Sequence, residues 1–366
     1  ISNDNKVIDK NGSITYKDLQ VVSKKIGSGL AKYVKNNAPV PVYMEKGISC
    51  LEVFMGSLYA GGFYSLLNAG LPKMRLEQII SVLDVDYVVT DKEHLENAKE
   101  FFPDKELILY EDLADSEIDD ELLSNIRTRK LDVDPVYANF TSGSTGVPKG
   151  VVVGNRSIID FIDNFTSTFG INETDIIANQ APFDFDVSVK DIYPALKTGA
   201  TLVIVPKELF SRPAELIDFL VEHKVTTMTW AVSALCLIST FHGLDYKVPE
   251  TVKRVMFSGE VMPMKHLKEW MKHLPNATFV NLYGPTEITC NCTYHIIDRN
   301  REYEKIPVGI PFNNEDVFLL DENNKLVESS GIKGEICVRG SALALGYYKN
   351  KEPVSYTHLT LPTNSL

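Results

Sequence analysis

Asn139-Phe140-Thr141-Ser142-Gly143-Ser144-Thr145-Gly146-Val147-Pro148-Lys149-Gly150 decides the reading of this chain. Val136 to Phe140 is a short apolar run with strand composition, and Val151-Val152-Val153 is another. Between them, Thr141 to Gly150 hold four hydroxyls, three glycines and one lysine. Glycine lets the backbone take φ > 0 and come close to a ligand. Successive backbone N–H groups in such a turn make a concavity that suits an anion. Thr141, Ser142, Ser144 and Thr145 add hydroxyl donors, and Lys149 adds a point charge. This is chemistry for a polyphosphate. The spacing is not that of the P-loop, G-x-x-x-x-G-K-[ST], because two residues separate Gly146 from Lys149 and Gly150 follows it. Taken alone, the run is also readable as a mobile Gly/Ser hairpin turn.

Strand-like and helix-like segments alternate on both sides of this turn. Upstream, Leu19, Val22, Ile26 and Leu30 form a helical stripe over 13–31. Strands are expected at 39–44, 63–67, 87–90 and 106–110, with helices at 48–60, 72–83 and 93–101 between them. Downstream, helices are expected at 157–168, 186–197, 213–223, from 233, and at 263–273. The strands between them fall at 175–179, 201–205, 226–230, 254–257 and 278–281. This alternation predicts an α/β fold: two βα-layered lobes, 1–115 and 135–290, with mostly parallel sheets flanked by helices. The acidic stretch 111–120 reads as a solvated connection between them. Beyond Asn291 the segments are short and broken by Gly, Pro and Asn, which predicts a small β-rich, barrel-like lobe over 291–350. Residues 354–366 lose all periodicity and read as a non-native tail.

Composition narrows the class. The chain has 366 residues, 44% of them hydrophobic, enough for several packed lobes. A net charge of −12 argues against nucleic acid or an anionic membrane as partner. No apolar run reaches the length of a membrane span, and no signal peptide is evident. Five cysteines, an odd number mostly in apolar surroundings, read as reduced thiols and a cytoplasmic setting. Cys290-Asn291-Cys292 is a lone C-x-C without a second pair and does not read as a metal site. Ile1 in place of Met points to a longer parent chain.

The run TSGSTG followed by PKG resembles the phosphate loop of the adenylate-forming enzymes: acyl-CoA synthetases, luciferases and the adenylation domains of non-ribosomal peptide synthetases. Other segments resemble the same family, namely Ile14-Thr15-Tyr16-Lys17-Asp18-Leu19, Tyr59-Ala60-Gly61-Gly62-Phe63-Tyr64, and Gly334 to Gly340 with Leu345-Gly346-Tyr347-Tyr348. These three are read as structural. The resemblance covers about residues 13–350, in motif order as well as content. It implies the large N-terminal core of an adenylation domain, the acetyl-CoA synthetase-like large domain, over 1–353. The family's ribose-binding Asp, hinge and C-terminal lid domain with its catalytic Lys have no counterpart here.

Asn281-Leu282-Tyr283-Gly284-Pro285-Thr286-Glu287 follows an expected strand directly, where open α/β sheets bind ligands. A Gly-Pro turn there presents an aromatic, a hydroxyl and a carboxylate together, although a turn capped by Thr and Glu would look the same. By resemblance this is the adenine and magnesium motif. It implies that Tyr283 stacks on the base, Thr286 meets the α-phosphate and Glu287 helps to place Mg²⁺. Thr141, Lys149, Thr286 and Glu287 are the implied catalytic set. Thr141 to Gly146, Lys149, Asn281, Tyr283, Gly284 and Thr286 are the implied ATP contacts, with Gly259 and Glu260 as weaker ones. Phe183-Asp184-Phe185-Asp186-Val187-Ser188 carries the family's "FDxS" pattern, whose carboxylate pairs with a substrate α-ammonium. Asp186 fits that position; the other reading of Asp186, or of Asp184, is a helix N-cap. Val187, Lys190, Thr229, Met256, Ser258, Leu282, Cys290 and Asn291 are the implied remaining pocket. For Lys190 the competing readings are an i,i+4 salt bridge to Asp186, a pair with Asp191, or a solvated lysine. A Lys190 inside the pocket would favour an acidic or polar substrate side chain.

The resemblance implies ATP-dependent activation of an amino acid to its aminoacyl-adenylate, with Mg²⁺, and transfer to the phosphopantetheine thiol of a carrier protein or domain. Two alternatives stand beside it: a D-alanine–carrier-protein ligase, and a catalytically silent ATP-binding module.

Overall fold

The computed structural model describes residues 5–141 and 147–350. Ser142, Gly143, Ser144, Thr145 and Gly146 of the phosphate loop, and the tail 354–366, lie outside the described residues.

In chain order the strands are β1 (Lys6–Asp9), β2 (Gly12–Thr15), β3 (Pro39–Tyr43), β4 (Phe63–Leu66), β5 (Tyr87–Thr90), β6 (Glu106–Leu109), β7 (Pro135–Thr141), β8 (Lys149–Gly154) and β9 (Ile176–Asn179). They continue with β10 (Thr201–Ile204), β11 (Thr227–Ala231), β12 (Arg254–Ser258), β13 (Thr278–Tyr283), β14 (Thr293–Ile296), β15 (Ile310–Pro311), β16 (Glu315–Leu320), β17 (Glu335–Gly340) and β18 (Gly346–Tyr347). One sheet has nine strands in the order β15-β14-β13-β12-β11-β9-β10-β1-β2, and another has seven in the order β18-β8-β7-β4-β3-β5-β6. The central runs, β10-β9-β11-β12-β13 and β7-β4-β3-β5-β6, are parallel. Every residue of β3, β4 and β5 is buried, as expected of parallel strands covered on both faces by helices. The helix Tyr16–Leu30 lies so close to the helix Ile48–Tyr59 that a Cβ on Gly56 would fall 2.4 Å from Ile26 Cγ2. The α/β class with mostly parallel, helix-flanked sheets is thus realised.

Three expectations are corrected. The first helix does not begin at residue 13, because Ser13 to Thr15 belong to β2 and pair with β1 in a hairpin. Lys10-Asn11 form its two-residue loop, and Gly12 sits at φ +151°. Asn-Gly is a hairpin signal that the helical stripe obscured. Thr15 then caps the helix by accepting from the Asp18 amide at 3.1 Å. The acidic stretch is not simply a solvated connection either. It holds most of the helix Tyr110–Ala114, which buries Leu113, and ends where the helix Asp120–Arg127, which buries Leu123, begins. One buried residue per short helix is too little apolar signal to read from sequence.

The third correction concerns the lobes. The hairpin β1-β2 joins the nine-stranded sheet, and β7-β8 joins the seven-stranded one, so the sheets do not divide where the 1–115 and 135–290 boundaries would put them. The segment 291–350 is β-rich, as expected. β14 and β15 extend the nine-stranded sheet, β16-β17 stand as a hairpin, and β18 pairs with β8. No helix among the described residues is long and apolar enough to cross a membrane.

Candidate active site

The phosphate-loop hairpin is antiparallel, with Thr141 at the end of β7 directly opposite Lys149 at the start of β8. Lys149 Nζ lies 5.0 Å from the centroid of the Tyr347 ring. Thr141 lines a cavity of about 380 Å³ together with Asn139, Asp184, Asp186 and Thr286, among others. Three residues singled out in separate motifs therefore share one space. Burial pushes the Asp186 carboxyl above its ordinary range, and the nearby Thr286 hydroxyl and Lys190 ammonium oppose the shift. The cap reading of Asp186 is not realised. The 3₁₀ turn runs Asp186–Ser188, its cap position is Phe185, and no side chain caps it. Asp184 instead accepts from Asn68 Nδ2 at 2.9 Å.

The parallel register explains how four pocket candidates converge. Thr229 on β11 pairs with Met256 on β12, which pairs with Val280 on β13. Ser258 and Leu282 lie two residues further along their strands, so with the period-2 alternation Thr229, Met256, Ser258 and Leu282 share one sheet face. Lys190, on the helix Val189–Thr198, approaches this group. Neither a salt bridge nor a solvated lysine is observed: Lys190 is 0% exposed, and Nζ donates to Ser258 Oγ at 3.1 Å and to Asn291 Oδ1 at 2.6 Å. Cys290 Sγ donates to the same Asn291 oxygen at 3.5 Å, and burial raises its thiol pKa strongly. Asp191 is also fully buried and pushed up to about 7, chiefly by desolvation. Its Oδ2 accepts from Asn179 Nδ2 at 2.9 Å, and Asn179 Oδ1 accepts from Lys46 Nζ at 3.1 Å. Burial brings Lys46 down to about 8. Val187 is half-buried beside Asp186.

Glu287 is 4% exposed. Its Oε1 accepts from the Tyr347 hydroxyl at 2.9 Å, while Oε2 is buried with no hydrogen-bond partner among the described residues. A buried carboxylate oxygen without a partner is costly unless a cation or donor meets it, so the donor set fits Mg²⁺, which favours hard oxygen ligands. Tyr347 belongs to a segment that reads as structural in the sequence. It reaches the site because β18 pairs with β8, Tyr347 opposite Val151. Arg75 is a second residue missed in the sequence: it lines the Thr141–Asp186–Thr286 cavity from the helix Lys73–Leu83. A lone arginine on a helix carries no signal that separates it from a solvated one.

The remaining candidates are more dispersed. Tyr283 lines a different, largely apolar cavity of about 390 Å³, bounded by Gly309, Pro311, Val317 and Leu319. Its hydroxyl is buried without a partner among the described residues, and burial pushes it up to about 12. Asn281 Nδ2 donates to Pro307 O at 2.8 Å. Gly259, at φ +92°, and Glu260 are exposed beyond β12. Gly284 is required where it stands, since a Cβ there would lie 2.5 Å from Asn291 Cα. Thr289, just past the motif, holds φ +66°, an unusual conformation for a β-branched residue.

Residues 2–348 match a family described as AMP-binding enzyme. Among curated proteins, the D-alanine–D-alanyl carrier protein ligase of Bacillus velezensis is 34% identical over 346 residues, covering 92% of this chain and 66% of the ligase. Bacitracin synthase 1 of Bacillus licheniformis is 28% identical over 341 residues, 93% of this chain and 6% of that protein. The chain thus spans just under two thirds of the ligase's length. Among solved structures, the AMPPNP-bound form of the non-ribosomal peptide synthetase FmoA3 superposes with a TM-score of 0.84 at 25% identity, over 98% of this chain and 38% of that one.

Proposed function

Because the chain belongs to the family of AMP-binding enzymes, we propose that it forms the core that activates an amino acid with ATP to its aminoacyl-adenylate. The acyl group then passes to the phosphopantetheine thiol of a carrier protein, in the cytoplasm. One observation carries this reading: the Asp186 carboxylate lines the same cavity as Thr141 and Thr286. In this reading an anchor for an α-ammonium stands beside the hydroxyls assigned to phosphate.

In the first step an oxygen of the substrate carboxylate bonds to the α-phosphorus of ATP, and the bond to the pyrophosphate oxygen breaks. In the second, the carrier thiol attacks the acyl carbon and AMP leaves. The protein's part is to position the reactants and offset charge; no side chain has to act as nucleophile. Asp186 holds the amine, Thr141 and Lys149 flank the loop that cradles the β- and γ-phosphates, and Thr286 donates toward the α-phosphate. Tyr283, with Asn281, Gly284, Gly259 and Glu260, contributes the adenine side. Glu287 would hold Mg²⁺, which when bound lowers the charge on the reacting phosphate oxygens. The carrier partner draws support from the B. velezensis ligase, and nucleotide binding from the AMPPNP-bound FmoA3 structure.

The 34% identity to that ligase favours D-alanine activation as a second reading. ATP–pyrophosphate exchange against an amino-acid panel including D-alanine separates the two. For the anchor itself, Asp186→Asn keeps the shape of the side chain but loses the charge. Calorimetry should show at least ~100-fold weaker binding of a non-hydrolysable aminoacyl-adenylate analogue, as about 3 kcal/mol for an uncompensated buried charge requires. Binding of the matching analogue without the α-amine should stay the same. Equal losses for both would remove Asp186 from substrate recognition.

A further inference from the structure

We infer that Arg75 binds the β- and γ-phosphates of ATP and keeps hold of them as pyrophosphate leaves. This rests on the adenylation reading and goes further, by giving the leaving group a cation that lies in none of the glycine-rich or aromatic motifs.

The first observation is where Arg75 stands. It lies in the first turn of the helix Lys73–Leu83 and lines the cavity that also holds Thr141 and Thr286. Ile79, four residues on and so on the same helical face, lines that cavity too. Phe140, the residue before Thr141 on β7, packs against the apolar cluster that contains Ile79. The face of the helix that carries Arg75 is thereby fixed against the stem of the phosphate hairpin.

The second observation is that its charge is unanswered. Arg75 is half-buried, yet no described residue gives it a hydrogen bond, an ion pair or a ring contact. The other half-buried arginine among the described residues, Arg254, is held by Asp175 at 2.8 Å and by the Phe169 carbonyl at 2.6 Å. Two carboxylates, Asp184 and Asp186, line the same cavity as Arg75. The groups that oppose the upward shift of Asp184 are the Asn68 amide and its own backbone, not Arg75. Lys73, in the same first turn, is paired with Glu100 at 3.5 Å, and that turn contains no acid. The positive end of a helix disfavours a cation and favours an anion beside it. A planar guanidinium meets phosphate oxygens with two parallel bonds.

The chemistry of the reaction says which anion is left for Arg75. Asp186 takes the substrate ammonium, and the substrate carboxylate is consumed in the bond to the α-phosphorus. When the bond from that phosphorus to the bridging oxygen breaks, its electron pair goes to pyrophosphate. Arg75, beside the stem of the loop that cradles the β- and γ-phosphates, meets the added charge.

The test uses this chain with Mg²⁺ and calorimetric titration of AMPPNP, inorganic pyrophosphate, AMP and a non-hydrolysable aminoacyl-adenylate analogue. Arg75→Ala should weaken AMPPNP and pyrophosphate about 10- to 100-fold, the range for a lost hydrogen bond to a charged group. Binding of AMP and of the adenylate analogue, which lack those phosphates, should stay the same. Arg75→Lys keeps the charge without the fork and should fall between the unmodified chain and Arg75→Ala. It also serves if Arg75→Ala does not fold. Equal losses for AMPPNP and AMP, a loss confined to the adenylate analogue, or no loss at all would overturn this role while leaving adenylation intact. Failure of the unmodified chain to bind AMPPNP, AMP or the analogue would overturn the adenylation reading and this inference together.

Discussion

Tyr347→Phe removes one oxygen and leaves the ring in place. The ring still lies beside Lys149, and the backbone pairing of β18 with β8 is untouched. What is lost is the donor to Glu287 Oε1, a 2.9 Å bond to a carboxylate that is 4% exposed. The other oxygen of that carboxylate has no partner among the described residues, so the variant strands both. A hydrogen bond to a charged group contributes about 1.5–3 kcal/mol, against about 0.5–1.5 kcal/mol for a neutral one. Tyr347→Phe should therefore lower stability in urea by about 1.5–3 kcal/mol without Mg²⁺. In a Glu287→Gln background it should cost only about 0.5–1.5 kcal/mol, leaving a coupling of about 1 kcal/mol in the double-mutant cycle. Saturating Mg²⁺ with AMPPNP should shrink the loss, because the cation then meets the carboxylate. The variant should also need more Mg²⁺ for half-maximal AMPPNP binding. Equal losses in the two backgrounds, with an unchanged Mg²⁺ requirement, would refute the pairing as a device for placing the carboxylate.

Asp191 predicts a pH dependence. Its carboxyl is raised from 3.8 to about 7 by burial, so between those values the folded chain binds a proton that the unfolded chain has released, and stability falls as pH rises from about 4 to about 7. Asp191→Asn should flatten part of that slope in urea titrations. Glu315, also raised to about 7, and Glu52, Asp184 and Asp186, raised by burial as well, add to the same slope, and an unaltered slope would count against Asp191. Gly284→Ala would drive a Cβ against the backbone of Asn291 and Cys292 at 2.5 and 2.7 Å. A loss of about 1–3 kcal/mol from overpacking should appear in thermal unfolding, together with weaker AMPPNP binding as the turn between Tyr283 and Thr286 shifts. A variant with unchanged midpoint and affinity would show that the turn yields freely.

The parts of the site that were legible in the sequence are those whose chemistry is local. Thr141 and Lys149 belong to one hairpin, and its glycines and flanking valines state as much. The buried parallel strands announce themselves by uninterrupted apolar runs. Lys190 was not legible, because its two partners lie 68 and 101 residues away, and nothing beside it separates a buried lysine from a solvated one. Tyr347 was hidden for the same reason, since its strand pairs with residues near position 151. The fold class came through because alternation repeats along the chain. The membership of each sheet did not, because β1 and β18 pair with strands nearly two hundred residues away, β10 and β8.

That crossing has a cost in time. Val7 of β1 finds its parallel neighbour at Leu202 of β10, and β8 finds β18 only at Gly346. During synthesis the first hairpin leaves the ribosome long before its neighbouring strand exists, and neither sheet can close as a separate early unit. Closing so long a loop costs entropy before any contact repays it, and pairings this distant slow folding. The half-built chain therefore waits with unpaired strand edges, the state most open to aggregation. The same interlacing makes the finished molecule hard to divide. A nick between Thr128 and Asp134 would leave β4 paired with β7 and β1 paired with β10, so the two fragments would stay together as one body.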